Sequence, residues 1–491
     1  MIRKSLFIFV LCLALVSPGI NSDKLDSDLK AGYDSIKSNE VYDLCKTMCL
    51  PEYAGRHTGH EGYTGAAEWA ASQFKRWGLK PIDSKKGGYL QAFPSPYVII
   101  DSAAMTLKAF DQKSSTSEKP AFKEIDFKIG PDFLPLLYSD SGDNEAELVF
   151  TGWGICAPEL GYDDYKDIDV RGKFVVCFRG TPGLPDPGFQ DYNQHRQRMK
   201  TAKEKGALGL FYIYPLPLAN PNGDWIEGFT PAKISEKAAD KFLSEKGFTS
   251  KDLRRDLLKY KKPISFPLNS KVHYRVKSRT FPEGIGYNVV GYIEGSDRSL
   301  REECLVIGGH FDHCGEHMGR LYPGANDNAS GSAVVMEIGE AFARLEKKPK
   351  RSVVFVLFGG EEMGLQGSKF FSNHIPPQFK EVSAMFNFDM VGEGDGVSCA
   401  VSSDPKSLKS TLDSADEHIG ALSRTRFFRG QGGGSDYAPF YQKGIPCISF
   451  SSNGPHLHYH QMEDTIYRVN PDIMADTARL AFLAGYYWAN R

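Results

Sequence analysis

The sequence predicts an α/β protein in which a doubly wound mixed sheet is flanked by helices and carries an inserted β-rich domain. Towards the carboxy terminus, short apolar runs alternate with amphipathic helical patterns, which is typical of a doubly wound sheet. Side chains that can bind metal ions follow several of these runs, at the strand ends that form the crevice of an open sheet. The middle of the chain instead has short β-like runs between Pro/Gly-rich loops.

The strands predicted in the carboxy-terminal part are continuous apolar runs, as expected for buried parallel strands. They cover residues 288–293, 304–307, 351–358, 384–388 and 447–450. A helix that begins near Asn328 should pack on the sheet, because it places one apolar stripe on a single face: Val334, Val335, Ile338, Phe342 and Leu345. Another helix is predicted over residues 65–77, with Gly78 at its end.

The amino terminus is predicted to be a secretory signal peptide. A basic start at residues 1–5 precedes an apolar run at residues 6–16 and the small residues 17–19. This run is shorter than the ~20 residues that a membrane-spanning helix needs. We therefore expect cleavage between residues 19 and 22, export to the periplasm or the extracellular space, and no transmembrane segment in the mature chain.

Charge and cysteine content narrow the class of protein further. The 59 Lys and Arg residues are balanced by 61 Asp and Glu, so no basic excess exists to neutralise the phosphates of a nucleic-acid partner. Of nine cysteines, Cys12 lies in the predicted signal, and the other eight could form disulfides after export. Cys45 and Cys49 could pair locally, but the sequence selects no connectivity and no oligomeric state.

Residues 306–362 carry most of a predicted two-metal hydrolase site. Oxygen and imidazole ligands without thiolates are typical of catalytic zinc, manganese or cobalt. Two such ions about 3.5–4 Å apart can activate one water and polarise a scissile carbonyl, provided that a carboxylate bridges them. We assign Asp327 as the bridge, His310 and Asp389 to one ion, and Glu362 and His460 to the other.

Two more residues receive roles in this scheme. Glu361 is free to act as the general base, and Asp312 is predicted to fix the ring of His310 by accepting its second N–H. Two histidines of a glycine-rich loop, His57 and His60, are expected to be solvated. Five residues near the predicted ligands are left out of the ligand set: His313, Cys314, His317, His456 and His458.

Five motifs resemble those of the co-catalytic zinc exopeptidases, which include bacterial leucyl aminopeptidases and glutamate carboxypeptidase II. They are Gly308–His313, Pro323–Gly331, Gly359–Ser368, Asn387–Met390 and Tyr459–Thr465. The resemblance covers residues 44–81 and 287–491, and the ligand pattern of the family falls on the five residues already assigned. It implies an exopeptidase that acts on peptides with two divalent ions, most commonly Zn²⁺. Family members often have Thr-Pro after the last histidine, where this chain has Gln461-Met462, a difference that concerns specificity.

The resemblance also implies the domain organisation. Residues 162–173 resemble part of the protease-associated insert of several family members. We therefore predict a signal peptide over 1–22, the first part of the peptidase domain over 23–120, the insert over 121–284, and the catalytic domain over 285–491.

Four functions are compatible with these features. The main hypothesis is an aminopeptidase, with Glu393 or Asp436 holding the substrate ammonium. The second is a carboxypeptidase for acidic peptides, in which Arg424, Arg426 and Arg429 would bind a carboxylate. The third is a single-zinc glutaminyl cyclase. The fourth is a receptor-like protein without catalysis, but the complete ligand set and the free Glu361 argue against this fourth function.

Overall fold

The computed structural model describes residues 25–83, 88–111, 114, 121–402, 405–428 and 434–491. The predicted signal peptide and Arg429 lie outside the described residues, so export remains a prediction. Within the described ranges, no helix combines the length and the apolar character that crossing a membrane requires.

The strands and helices alternate along the chain in two blocks. In chain order the strands are β1 (Lys80–Pro81), β2 (Leu90–Pro94), β3 (Tyr97–Phe110), β4 (Phe122–Phe127), β5 (Phe133–Pro135), β6 (Gly142–Thr151), β7 (Cys156–Ala157), β8 (Tyr162–Asp163), β9 (Phe174–Phe178), β10 (Gly209–Tyr214), β11 (Ala232–Ser235), β12 (Ser265–Phe281), β13 (Ile285–Ile293), β14 (Glu303–His310), β15 (Gly315–His317), β16 (Arg320–Tyr322), β17 (Ser352–Phe358), β18 (Glu381–Phe388), β19 (Val397–Val401), β20 (Leu422–Phe427) and β21 (Cys447–Ser452). The helices are α1 (Ser27–Ser35), α2 (Ser38–Met48), α3 (Glu61–Arg76), α4 (Phe189–Tyr192), α5 (His195–Glu204), α6 (Glu236–Leu243), α7 (Ser250–Tyr260), α8 (Gly331–Arg344), α9 (Gln366–Asn373), α10 (Pro405–Asp416), α11 (Ala438–Gln442) and α12 (Pro471–Ala489). Short 3₁₀ turns cover Pro51–Arg56, Pro158–Leu160, Ser244–Lys246 and Ile466–Arg468, and a π turn covers Ala325–Ser330.

A nine-stranded mixed sheet organises the catalytic part of the described chain. Its order is β1-β13-β17-β14-β18-β21-β19-β20, with β2 paired to β13. The neighbours β17, β14, β18 and β21 run parallel, whereas β13 and β19 join antiparallel. The predicted doubly wound mixed sheet is confirmed, and the parallel strands all point their carboxyl ends at one edge.

Both faces of this sheet are buried by helices. Along β14, Leu305 and Ile307 join the core that contains α8 and α12, whereas Cys304 and Val306 join the opposite core. This alternation follows from the two-residue period of a strand. The apolar stripe predicted on α8 is buried, so the helix packs on the sheet as expected.

A separate eight-stranded sheet forms the inserted β-rich part, as predicted. Its order is β4-β3-β12-β6-β9-β10-β11-β5, and the long strands β3 and β12 pair antiparallel over most of their length. Because β3 belongs to this sheet and β2 to the other, we propose that the insert starts near Tyr97 rather than at residue 121.

The insert packs directly beside the parallel-strand edge of the catalytic sheet. Residues of the β15–β16 hairpin and the last histidine loop contribute to the insert core, namely Cys314, Met318, Tyr322 and Met462. These contacts connect the two parts close to the predicted metal ligands.

All eight cysteines in the described part of the chain are free thiols. The local pair Cys45–Cys49 therefore does not form a disulfide, and the Cys45 thiol donates a long hydrogen bond of 3.6 Å to the carbonyl oxygen of Ala325.

Candidate metal centre

Five loop or strand-end positions bring the predicted ligands together. His310 is the last residue of β14, and Asp389 directly follows β18. Asp327 lies in the π turn that precedes α8, and Glu362 lies in the turn after β17. His460 comes from the loop after β21. All five reach the same sheet edge because their strands are parallel or adjoin it.

Asp327 lies between two groups of ligand atoms. Its Oδ1 is 3.5 Å from His310 Nε2, which is itself 3.5 Å from Asp389 Oδ1. Its Oδ2 is 3.3 Å from His460 Nε2, which is 2.9 Å from Glu362 Oε2. The two oxygens of one carboxylate thus face two separate donor sets, the arrangement that a bridging ligand requires.

The arrangement of the donor atoms suits divalent metal ions better than it suits hydrogen bonds between the donors themselves. Asp327 Oδ2 and His460 Nε2 are buried, and their close contacts lack hydrogen-bond geometry. Ligand atoms of His310, Asp327 and Glu362 lie within 4.8 Å of one another. A buried polar atom without a partner is destabilising, and a coordinated cation would remove that penalty.

Two buried carboxylates hold the main chain that carries the ligands. Asp464 accepts hydrogen bonds from the backbone N–H groups of Asn326 and Asp327, at 2.8 and 3.0 Å. Asp312 accepts in the same way from Glu361 and Glu362, at 3.1 and 3.3 Å. Each carboxylate therefore fixes two consecutive residues of a ligand loop.

The role predicted for Asp312 differs from the geometry. His310 Nδ1 lies 3.2 Å from the main-chain oxygen of Asp312, whereas the nearer Asp312 carboxylate oxygen is 3.7 Å away. The backbone carbonyl thus orients the ring of His310, and the Asp312 carboxylate is engaged by the Glu361–Glu362 turn.

The insert orients His460. The Nδ1 of this histidine lies 2.8 Å from the carbonyl oxygen of Ala219, and the Ala219 N–H donates to the carbonyl oxygen of His460 at 3.3 Å. The Nδ1 contact requires the proton on Nδ1, so Nε2 keeps its lone pair for a metal ion. His460 also has a positive φ of 56°, a conformation that costs ~1–3 kcal/mol without such support.

Glu361 does not belong to the group of converging ligand atoms. Its side chain is partly exposed and lines a cavity of about 590 Å³ between the insert and the metal centre. Burial of the carboxyl, reinforced by the neighbouring Glu362, raises the pKa of Glu361 well above its ordinary value, and His310 opposes the rise. A carboxyl with a raised pKa can both take up and release a proton.

Part of the chain matches a known protein family. The model of peptidase family M28 matches residues 288–484. Residues 288–484 belong to peptidase family M28.

Relatives that match most of the chain are distant. Aminopeptidase YwaD of Bacillus subtilis is 27% identical over 73% of this chain and 71% of its own length. A glutamate carboxypeptidase 2 homologue of Caenorhabditis elegans is 22% identical over 98% of this chain and 73% of its own. The solved aminopeptidase of Aneurinibacillus sp. strain AM-1 shares the fold, with a TM-score of 0.64 at 19% identity over 93% of this chain and 95% of the other.

Two residues that were left out of the predicted ligand set lie beside the predicted ligands. His313 is fully buried, and its Nδ1 lies 2.8 Å from Glu362 Oε1. The buried Cys314 offers a sulfur within 4.8 Å of ligand atoms of His313, Glu362 and His460. Sequence patterns missed both because they follow the His-x-Asp motif in a segment without clear periodicity.

Other histidines near the motifs lie apart from the ligand atoms. His57 is buried, and its ring centroid lies 4.4 Å from that of the partly exposed His60, so the expectation of a solvated pair is wrong. His317 Nε2 bonds to the carbonyl oxygen of Cys314, and His456 Nδ1 contacts the Asn326 amide. No role is assigned to His458.

Asp464 is a functional candidate that residue chemistry alone did not identify, although it lies inside the Tyr459–Thr465 motif. In Asp464→Asn, one acceptor oxygen becomes an NH₂ group that faces a backbone N–H. We expect metal retention against a chelator to fall ~10–100-fold. The free energy of unfolding in denaturant should fall by ~1–3 kcal/mol. The exposed neighbour provides the control Glu463→Gln, and equal metal retention in the two variants would contradict the positioning role.

Proposed function

We propose that the protein is a secreted exopeptidase, in the first place an aminopeptidase, that works with two divalent metal ions, most commonly Zn²⁺. The observation that supports this proposal is the convergence of four other predicted ligands on the buried Asp327, with the Glu361 carboxyl left free at the cavity. The aminopeptidase assignment draws on Aminopeptidase YwaD, which is 27% identical to this chain.

The residues of the chain divide the chemistry between them. When bound, the ions supply Lewis-acid polarisation of the scissile carbonyl and activation of the attacking water. Glu361 accepts the proton of that water and returns it to the leaving amine. Asp312 and Asp464 keep the ligand loops in place, and Ala219 keeps Nε2 of His460 directed at the centre.

One of the two predicted ammonium partners is unsuited to that role. Asp436 is fully buried, and burial raises the pKa of its carboxyl to about 7, so a large share of it is neutral at pH 7. Glu393 is partly exposed and remains the candidate for the substrate ammonium.

The cavity beside the centre favours a substrate carboxylate, which supports the carboxypeptidase as a second candidate. Lys233 and Arg179 of the insert line it, and within the described residues they contact the hydroxyl and ring of Tyr214 rather than a carboxylate. Burial lowers the pKa of Lys233 to about 7. An unpaired buried cation is costly, and the carboxylate of a ligand would compensate it.

The arginines predicted for the carboxypeptidase lie elsewhere. Arg424 and Arg426 line a second cavity, which reaches the centre at Asp389. The third, Arg429, is outside the described residues. Two cavities with cationic side chains thus adjoin opposite ends of the ligand set.

Removal of the base should abolish turnover without loss of metal. In Glu361→Gln, the amide cannot take a proton, so kcat should fall by ~10²–10⁴-fold. Elemental analysis should still find two ions per chain, as in the wild type. Glu463→Gln serves as the matched control. Substantial turnover in Glu361→Gln would contradict the general-base role, and one tightly held ion per chain would favour the glutaminyl cyclase.

Blocked peptides separate the two peptidase candidates. The same short peptide is supplied free, with an acetylated amino terminus, and with an amidated carboxy terminus, and product release is followed by chromatography. We expect hydrolysis of the free and amidated forms and failure of the acetylated one, because an aminopeptidase binds the free ammonium. The reverse pattern would establish the carboxypeptidase.

The charge of Lys233 should control the use of substrates that place a carboxylate in the cavity. Lysine is cationic below its pKa, so kcat/KM for these substrates should be highest below about pH 7 and decline above it. Lys233→Met should lower kcat/KM by ~10–100-fold at low pH, as for loss of a charged hydrogen bond. Lys233→Arg should remove the decline. A pH profile unchanged in Lys233→Arg would rule out Lys233 as its cause.

A further inference from the structure

A sulfur donor lies beside Glu362 and His460, in one half of the predicted metal centre. The thiol of Cys314 is fully buried, and its sulfur lies within 4.8 Å of ligand atoms of His313, Glu362 and His460. The metal scheme of the proposed function does not use it.

The side chains around this thiol offer further donor atoms for a metal ion. His313 Nε2 and His460 Nε2 are buried without a hydrogen-bond partner in the described structure. The two imidazole rings stand edge to face, with centroids 5.4 Å apart, on either side of the Glu362 carboxylate. Nitrogen, oxygen and sulfur donors therefore surround one point.

The spacing suits a tetrahedral ion. Zinc bonds of ~2.0–2.3 Å to N, O and S place neighbouring donor atoms about 3.4 Å apart in a tetrahedron. Donor atoms that lie within 4.8 Å of one another reach that spacing by side-chain shifts of the order of an ångström. Cys314 thereby offers a thiolate, whereas the five predicted ligands offer only oxygen and nitrogen.

We propose that the Cys314 thiolate is a ligand of the ion held by Glu362 and His460, so that this position selects thiophilic cations such as Zn²⁺ and Cd²⁺ over Mn²⁺. Metal binding breaks the S–H bond, forms the S–metal bond and releases the proton to solvent. The preference follows from the affinity of soft thiolates for zinc-like ions and of carboxylates for manganese. The inference rests on the proposed metal centre.

Cobalt substitution tests the sulfur–metal bond without reference to activity. The metal-free full-length chain is loaded with Co²⁺ until both positions are filled, and its near-ultraviolet absorption is recorded. We expect a thiolate-to-cobalt charge-transfer band in the wild type, its loss in Cys314→Ser, and its retention in the control Cys156→Ser, which changes a cysteine of the insert. Absence of the band from the cobalt-loaded wild type would overturn the proposal, whatever the fate of the variant.

Competition between ions supplies a second readout. Cys314→Ser should lose ~10-fold or more of its affinity for Cd²⁺ and retain its affinity for Mn²⁺, since only the first ion gains from sulfur. Equal losses for both ions would indicate a structural defect and contradict selection by the thiolate. A chain that binds no ion at all would refute the proposed function, whereas two ions without the cobalt band would refute this inference alone.

Discussion

The structure depends on one carboxylate that must face two donor sets at once. Asp327 can do so only if its main chain is fixed, and Asp464 fixes it through two adjacent N–H groups. The ligands on either side come from separate strand ends, so the parallel order of β17, β14, β18 and β21 is a precondition for the centre. Anionic side chains gathered in a buried space repel one another, and bound cations would convert that repulsion into stability.

The insert contacts the predicted metal centre and also lines the cavity beside it. Its Ala219 carbonyl selects the tautomer of His460, and the returning Ala219 N–H supports a backbone conformation that a histidine rarely adopts. The hairpin that carries Cys314 packs into the insert core. Displacement of the insert would therefore change a metal ligand and not only a cavity wall. A metal centre of this kind needs both parts of the chain to be folded.

Strands with a regular apolar pattern, and residues that belong to a family motif, could be predicted from the sequence. The parallel strands were predictable because each is a continuous apolar run, and the five candidate ligands could be proposed as one group because they follow such runs or lie at a helix start. Contacts between distant segments carry no such signal: the carbonyl of Ala219 has no side-chain chemistry, and Asp312 was predicted to act on His310 when its carboxylate holds the Glu361–Glu362 turn. His57 lies in a segment whose composition is typical of a surface loop. It is nevertheless buried, because Tyr97 of β3 and His317 of the β15–β16 hairpin pack against its ring.

The charge distribution around the centre limits which substrates it can accept. Three buried carboxylates of the centre already have partners: Asp312 and Asp464 accept backbone N–H groups, and Glu362 contacts two imidazoles. Lys233 and Arg179 line the cavity together with Glu361, and neither forms an ion pair within the described structure. Burial lowers the pKa of Lys233 to about 7, so this lysine is deprotonated more easily than an ordinary one. A peptide whose carboxylate enters from the insert side would restore its charge and gain an ion pair shielded from water, so recognition of a substrate anion and protonation of Lys233 are coupled.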